Sequence, residues 1–249
     1  METCVETYGK DHATAMVVPN AVDILRDHLP KYASPYDEEV YLQKVADAMP
    51  EGTWFDSGSV LREHKNIQLY YRTDHHWTTE AAYYVYAAWA EEKGLSPLSL
   101  SDYKKETVTD GFFGTIDAKV GGRNRSDTIH VYIPKKKEKY QVNYVAKNET
   151  ADDIYQYDYL KTRDKYSVYF GGNQSLVEVK TDSKSKRKLW SCRILTHTVL
   201  FRLRCMILKK SILWIFAITA KVSKNIWKRA IIRMFCFCIM RPDLQRTTV

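Results

Sequence analysis

The sequence predicts an α/β fold in which helices cover a parallel sheet. Three observations predict it: a short apolar strand, a patterned helix after it, and a second short strand. Residues 15–18 are apolar and partly β-branched, which is typical of a buried parallel strand. Pro19 ends this strand, and Asn20 is a candidate N-cap for a helix that reaches about His28.

The elements that follow complete a strand–helix–strand unit. Residues 36–48 carry apolar side chains on one helical face, and a turn at residues 50–52 comes next. Residues 53–56 then form the second short strand of the prediction. A strand, a helix and a strand at this spacing indicate a βαβ unit, which favours a covered parallel sheet.

A helix from Thr78 to Lys93 is the strongest pattern in the chain. Thr78 is a candidate N-cap, Glu80 suits the first helical turn, and Gly94 ends the helix. Its buried stripe is predicted to consist of Ala82, Val85, Tyr86 and Trp89.

Three strands are predicted in the second half of the body. Residues 129–133 and 140–145 alternate in polarity across a basic turn, which predicts an inserted β-hairpin. The lysines of that turn are interpreted as a solvated tip and not as a nucleic-acid patch. Residues 166–170 predict another strand, and Gly171-Gly172-Asn173-Gln174 follows it.

The charge of the chain is divided between two unlike parts. The net charge is +8, yet residues 183–249 hold 16 lysines and arginines against one acid, Asp243. This tail has no glycine and no tyrosine, and it holds four of the five cysteines. Residues 1–182 are mildly acidic and contain Cys4 alone, so no disulfide framework is expected. We therefore divide the chain into an incomplete α/β domain, 1–182, and an aberrant basic tail, 183–249.

Three interpretations of the tail stay open: a membrane-surface segment, a nucleic-acid-binding arm, and translation out of frame. Apolar residues surround any helix drawn through residues 207–220, which argues against the membrane-surface helix. Methionine and tryptophan have single codons, so a shifted frame must read Met206-Ile207 as Asp and Trp227-Lys228 as Glu. The shifted frame thus places acidic residues in the tail, which favours the frameshift. With permitted codon choices, the same shift reads residues 193–195 as Asp-Ser-Tyr, directly after a buried strand.

The segment from Tyr71 to Thr78 carries the chemistry. Asp74 and His76 are two residues apart in an irregular stretch, so both side chains can face one cavity. His75, between them, is expected to point the other way and to serve packing. A carboxylate that holds an imidazole is the orienter and base of a Ser-His-Asp triad. A serine nucleophile is the part that the chain does not supply in frame.

Two other interpretations of Asp74 and His76 remain open. The pair could be a structural hydrogen bond that caps a loop. Carboxylate and imidazole groups also bind Zn or Mn. However, the phosphoesterases named for Asp-His-His use an additional upstream Asp-x-Asp, and no such pair precedes Asp74. No metal site is therefore predicted.

The segment around Asp74 and His76 is similar to a motif of a known protein family. The chain resembles the bacterial DHHW family, a branch of the SGNH-hydrolase-like proteins, and is similar to the alginate O-acetyltransferases. The likeness covers roughly Ala15 to Thr181. The segments that carry it are Met16–Asn20, Tyr71–Thr78, Ala88–Ala90, Thr107–Asp110, Phe113–Thr115 and Phe170–Gln174.

The resemblance implies a three-layer, flavodoxin-like fold with helices on both faces of a parallel sheet. It also implies a serine nucleophile near the C-terminus and an extracytoplasmic or membrane-anchored setting. In that family Asp74 would be the orienter and His76 the base. The family's N-terminal anchor is missing here, as is an in-frame Lys-Asp-Ser-Tyr-like segment. The resemblance thus implies a fragment that is inactive as written, with membrane association only through the missing anchor.

The function implied is a serine esterase or O-acyltransferase, for acetyl groups, that acts on cell-envelope carbohydrate. Its partner would be an acylated polysaccharide or cell-wall glycan, without nucleic acid, and the chemistry requires no cofactor. Asn173 and backbone amides are candidates to hold an oxyanion, with Gln174 and Arg72 as further substrate candidates. An ordinary glycine turn and an exposed arginine are the alternatives for these residues. The alternative function is a non-catalytic cell-envelope or carbohydrate-binding protein.

Overall fold

The structure is a computed structural model, and it describes residues 1–121, 125–136, 139–182, 188–193, 210–215 and 234–240. The α-helices in these ranges are α1 (Glu2–Tyr8), α2 (Ala21–Ile24), α3 (Glu38–Asp47), α4 (Ser57–Glu63), α5 (Thr79–Glu92) and α6 (Thr115–Val120). The strands are β1 (Ala13–Val17), β2 (Tyr103–Phe112), β3 (Asp127–Pro134), β4 (Tyr140–Tyr144), β5 (Glu149–Ala151), β6 (Leu176–Thr181), β7 (Lys188–Arg193), β8 (Lys210–Ile215) and β9 (Met234–Met240).

The strands form two sheets. Seven of them pair in the order β1-β9-β7-β8-β6-β4-β5, while β2 and β3 form a separate antiparallel pair. Among the described strands, β7 and β8 run parallel and every other paired set is antiparallel. The α/β class is confirmed, whereas the predicted parallel sheet is not what these residues form. The sheet is not parallel because β9 pairs antiparallel with β1 and β7, and β6 pairs antiparallel with β4 and β8.

The two strands of the predicted βαβ unit are joined by a single β-bridge. The backbone N–H of Ala15 donates to the carbonyl of Thr53 at 2.7 Å, and the N–H of Phe55 donates to Ala15 at 2.9 Å. The resulting bridge between Ala15 and Trp54 is parallel, as predicted. The second strand is therefore one bridge long, and α3 lies between the two segments as the sequence indicated.

Helix α5 confirms the strongest prediction. The Thr78 hydroxyl accepts from the N–H of Ala81 at 3.2 Å and caps the helix. Gly94 follows the helix with a φ of 63°, a conformation that glycine adopts without strain. Every residue of the predicted stripe is fully buried: Ala82, Val85, Tyr86 and Trp89.

The predicted hairpin is wrong. β3 pairs with β2, and β4 pairs with β5 and β6. The reason is that the inward faces of β3 and β4 belong to different hydrophobic cores. Ile129 and Val131 pack in the main core with α5, while Val142 and Tyr144 pack in a smaller cluster. Both strands alternate alike, so alternation could not reveal which core each would join.

The strand predicted at residues 166–170 is also wrong. A 3-10 helix covers Lys165–Val168. Phe170, Gly171 and Gly172 then have φ values of 57°, 65° and 82°, so the chain turns sharply where an extended strand was expected. An added Cβ on Gly172 would also lie 2.7 Å from the Ser167 hydroxyl oxygen.

The main core packs against residues 71–77. Trp77 and Trp89 are completely buried there, and Met16 from β1 packs in the same cluster. Burying such large side chains anchors residues 71–77 against α5. No helix in the described ranges is long and apolar enough to span a bilayer.

Candidate active site

The loop of residues 71–77 is held by Thr73. Both its backbone N–H and its hydroxyl donate to one carboxylate oxygen of Asp127, each at 2.7 Å. The Thr73 carbonyl accepts from the N–H groups of Ile116 and Asp117 at 3.0 Å. Asp127 begins β3, and Ile116 lies in the first turn of α6. Two distant elements thus fix the backbone that carries Asp74.

Asp74 is 3% exposed, and both of its carboxylate oxygens accept hydrogen bonds. Oδ1 accepts from the backbone N–H of His76 at 2.9 Å and from His76 Nδ1. Oδ2 accepts from the backbone N–H of Thr115 at 2.7 Å and from its hydroxyl at 3.0 Å. Burial alone would raise the pKa of Asp74, but the hydrogen bond and charge of His76 and the Thr115 amide outweigh it. The pKa is held below its usual 3.8, so the carboxylate is ionised at neutral pH.

His76 is positioned by this carboxylate and by an aromatic ring. Its imidazole stacks on Tyr166 with ring centroids 3.8 Å apart and planes 14° from parallel. An ionised carboxylate only accepts hydrogen bonds, so Nδ1 of His76 carries a proton and donates it to Asp74. When the ring is neutral, Nε2 holds the lone pair, which is the tautomer that a general base needs. The predicted pairing of Asp74 with His76 is thus present in the structure.

Gly114 is part of the same arrangement. A Cβ added at Gly114 would lie 2.2 Å from the Cβ of Asp74 and 2.3 Å from its Oδ2. The absence of a side chain therefore lets Thr115 approach the carboxylate. The sequence offered Gly114 and Thr115 only as part of a resemblance, without a physical role. Asp127 and Tyr166 carried no signal that could have marked them.

His75 lies closer to the pair than expected, since alternation predicted that it points away. Its ring lies against His76 with centroids 4.0 Å apart, and its Nδ1 bonds the Thr115 hydroxyl at 2.6 Å. Among the described residues, the ligand atoms of Asp74, His75 and His76 lie within 4.8 Å of one another. However, four groups of His76 and Thr115 donate to Asp74 and already use the acceptor positions of its carboxylate. A cation would have to displace His76 or Thr115, so these residues fit a metal poorly.

Arg72 lines a groove together with Asp74. The groove has a volume of about 490 Å³, and Arg72 is exposed there next to Asp74 and His75. Its other walls are mainly apolar and include Val22, Leu25, Pro35, Tyr36 and Ile116.

Asn173 and Gln174 are not among the described residues that line this groove. Asn173 is exposed, and the Gln174 side-chain amide donates to the carbonyl of Gly171 at 2.8 Å. Arg72 therefore lines one groove with Asp74, while the Gln174 amide bonds within its own turn. The predicted Asp-Ser-Tyr of a shifted frame falls at residues 193–195. Arg193 ends β7, and residues 194–195 lie outside the described residues.

The fold and site together define an α/β protein with a buried, oriented carboxylate–imidazole pair ahead of a helix. The chain belongs to the DHHW family, because the family model described as "DHHW protein" matches residues 4–188. This confirms the family that the sequence motif indicated. None of the curated protein sequences matches the chain.

Solved structures share this fold. A DHHW family protein from Eubacterium siraeum DSM 15702 is 25% identical, with a TM-score of 0.61, over 80% of this chain and 68% of that chain. Bacillus cereus PatB1 with a sulfonyl adduct is 14% identical, with a TM-score of 0.61, over 80% of this chain and 70% of that one. A second PatB1 structure is 14% identical, with a TM-score of 0.60, over 86% and 77%.

Proposed function

We propose that this chain derives from a serine esterase or O-acetyltransferase that acts on acylated cell-envelope carbohydrate. The observation that carries the proposal is the hydrogen bond between Asp74 and His76 Nδ1, with the other Asp74 oxygen anchored by Thr115. A merely structural pair needs no such control of the tautomer. A base that deprotonates a hydroxyl does.

The chemistry follows the acyl-transfer scheme. A serine oxygen attacks the acyl carbonyl while Nε2 of His76 takes the hydroxyl proton, and Asp74 stabilises the imidazolium. The proton then passes to the leaving alkoxide as the ester bond breaks. Water or a sugar hydroxyl attacks the acyl-serine next, and His76 again takes and returns the proton. Backbone amides with Asn173 would hold the oxyanion, and Gln174 would support that turn.

The groove beside the pair supports an extended substrate. Arg72 in its lining is suited to a polar or anionic group of a glycan, because guanidinium donates several hydrogen bonds in one plane. The mainly apolar walls around Val22 and Ile116 would exclude water from the acyl carbonyl. The setting proposed is extracytoplasmic or membrane-anchored, in keeping with an envelope glycan.

The serine would come from the restored reading frame. We infer that residues 1–182 are an incomplete SGNH-like domain and that residues 183–249 are read out of frame. In the restored frame, the Asp-Ser-Tyr at 193–195 would follow a buried strand and supply the serine that the chain as written does not have. The chain as written lacks this nucleophile and is expected to be inactive.

Hydrolysis of 4-nitrophenyl acetate tests the proposal. The chain as written, the restored-frame protein and its His76→Ala variant are compared at equal concentration. The restored protein should hydrolyse the ester at least about 10²-fold faster than its His76→Ala variant, since general base catalysis contributes about 10²–10⁴-fold. Equal rates for the restored protein and the variant would refute the proposal.

A second candidate is a non-catalytic carbohydrate-binding protein, and the lack of an in-frame serine favours it. The same restored protein separates the two. Saccharide binding without ester hydrolysis would support the binding protein, and hydrolysis that depends on His76 would support the enzyme.

A further inference from the structure

A second cavity lies beside the start of α5, apart from the groove that contains Asp74. Its volume is about 390 Å³, within the range of roughly 300–1,000 Å³ typical of small-molecule sites. Polar side chains from α5, from β2 and β3, and from the segment that precedes α5 line it. They are Gln68, Thr78, Thr79, Glu80, Lys105, Thr128 and His130, with Tyr71, Tyr132 and Ile67 between them. The cavity and the groove share Tyr71.

The strand pairing brings these side chains together. Thr128, His130 and Tyr132 are spaced two apart on β3, so they share one face of the strand. Lys105 of β2 lies directly opposite Tyr132 in the register of the two-stranded sheet. Glu80 approaches from the first turn of α5. Three elements thus present polar groups to one space.

Glu80 presents one carboxylate oxygen to this space. Its Oε2 accepts from the Tyr132 hydroxyl at 2.6 Å and from Lys105 Nζ at 3.0 Å. Its Oε1 makes no hydrogen bond within the described part of the chain. Burial raises the pKa of Glu80, but the hydrogen bonds from Tyr132 and Lys105 outweigh it and lower that pKa. The carboxylate is therefore a charged acceptor.

Other groups around the cavity offer both donors and acceptors. The Thr128 hydroxyl has no hydrogen-bond partner among residues that the structure describes. His130 Nδ1 bonds the Thr107 hydroxyl at 3.0 Å, which leaves Nε2 for a ligand. Burial, followed by the charge of Lys105, lowers the pKa of His130, so its ring is neutral at neutral pH. A neutral imidazole nitrogen and a hydroxyl suit a partner that itself donates and accepts.

This chemistry selects among ligands. A phosphate would face the Glu80 carboxylate, and a divalent cation would face Lys105. A hydroxyl can donate to Glu80 while it accepts from Lys105, and adjacent sugar hydroxyls can do so in pairs. We propose that this cavity is a saccharide-binding subsite that takes a neutral pyranose through Glu80, Lys105 and Thr128.

The subsite does not rest on the proposed acyl chemistry. Its polar side chains differ from Asp74, His76 and Arg72, and it would bind sugar whether or not a serine nucleophile is restored. It would add an anchoring point for a glycan chain beside the groove, with Tyr71 between the two.

Isothermal titration of the chain as written with methyl β-D-glucopyranoside and with N-acetylglucosamine tests the subsite, with inorganic phosphate as the contrasting probe. We expect saturable binding of at least one saccharide and none of phosphate. Glu80→Gln should weaken binding about tenfold or more, because a hydrogen bond to a charged group is lost. Glu91→Gln, at an exposed site near the other end of α5, is the matched control and should leave affinity unchanged.

Thr128→Val keeps the shape of the side chain and removes a hydroxyl without a described partner, so it tests the subsite if Glu80→Gln fails to fold. It should weaken binding by about fivefold. The proposal is overturned if neither saccharide binds, if phosphate binds instead, or if the folded Glu80→Gln protein and Thr128→Val bind as tightly as the parent.

Discussion

Gly114 and Asp74 lie so close that a single added carbon at position 114 would overlap the carboxylate that orients His76. A Cβ at Gly114 would lie 2.2 Å from the Cβ of Asp74. No unusual backbone angle is involved, since φ of Gly114 is −87°. The glycine is thus needed for close approach. It lets Thr115 donate two hydrogen bonds to Asp74.

Gly114→Ala should therefore destabilise the protein by about 1–3 kcal/mol, the usual cost of overpacking. A loss of this size corresponds to roughly 2–4 °C in melting temperature for each kcal/mol. Thermal unfolding followed by circular dichroism measures it. Gly111→Ala is the matched control, because its added Cβ would meet no atom closer than 4.0 Å. Equal melting temperatures for the two variants would show that the 114 contact relaxes without cost.

Asp74→Asn should change how stability depends on pH. The pKa of Asp74 in the folded state is below 3.8, so its contribution is present above the unfolded pKa and is lost as pH falls through the folded one. The variant should be less stable than the parent at pH 7, by about 1–3 kcal/mol, and the gap should narrow as pH falls below about 4. Urea unfolding at pH 7 and pH 3 measures both gaps. A gap that is the same at both pH values would show that Asp74 is not held ionised by its partners.

Tyr166 should hold the imidazole of His76 by its ring and not by its hydroxyl. Tyr166→Phe keeps the stacking surface, while Tyr166→Leu removes it. We expect the leucine variant to broaden or shift the His76 ring resonances in NMR spectra and the phenylalanine variant to preserve them. Aromatic stacking of this kind contributes about 0.5–1.5 kcal/mol. Identical His76 spectra in the parent and leucine variants would contradict this role.

Local signals in the sequence predicted α5 well, because its cap at Thr78, its buried stripe and its stop at Gly94 all lie within one helix. The pairing of β3 could not be predicted in the same way. Ile129 and Val142 sit in strands of similar alternation, and their separation into two cores depends on contacts far along the chain. Partner choice between strands is decided by burial, which a local pattern does not contain.

In the candidate site, too, the sequence predicted the local contacts and missed those between distant residues. The spacing of Asp74 and His76 predicted their pairing, since both lie in one short loop. Thr115 supports Asp74 from 41 residues away, and Asp127 holds Thr73 from 54 residues away. Such supporting contacts arise only when the chain is folded. His75 was misjudged for a related reason, because the loop is irregular and strict alternation does not apply to it.

We propose that His76 serves a serine that the present reading frame does not encode. Labelling the restored-frame protein with a fluorophosphonate, and locating the label by peptide mass mapping, tests this role. We expect a label on the serine of the restored Asp-Ser-Tyr, its loss in His76→Ala, and no label on the chain as written. A restored protein that stays unlabelled, or a label elsewhere that persists in His76→Ala, would contradict it.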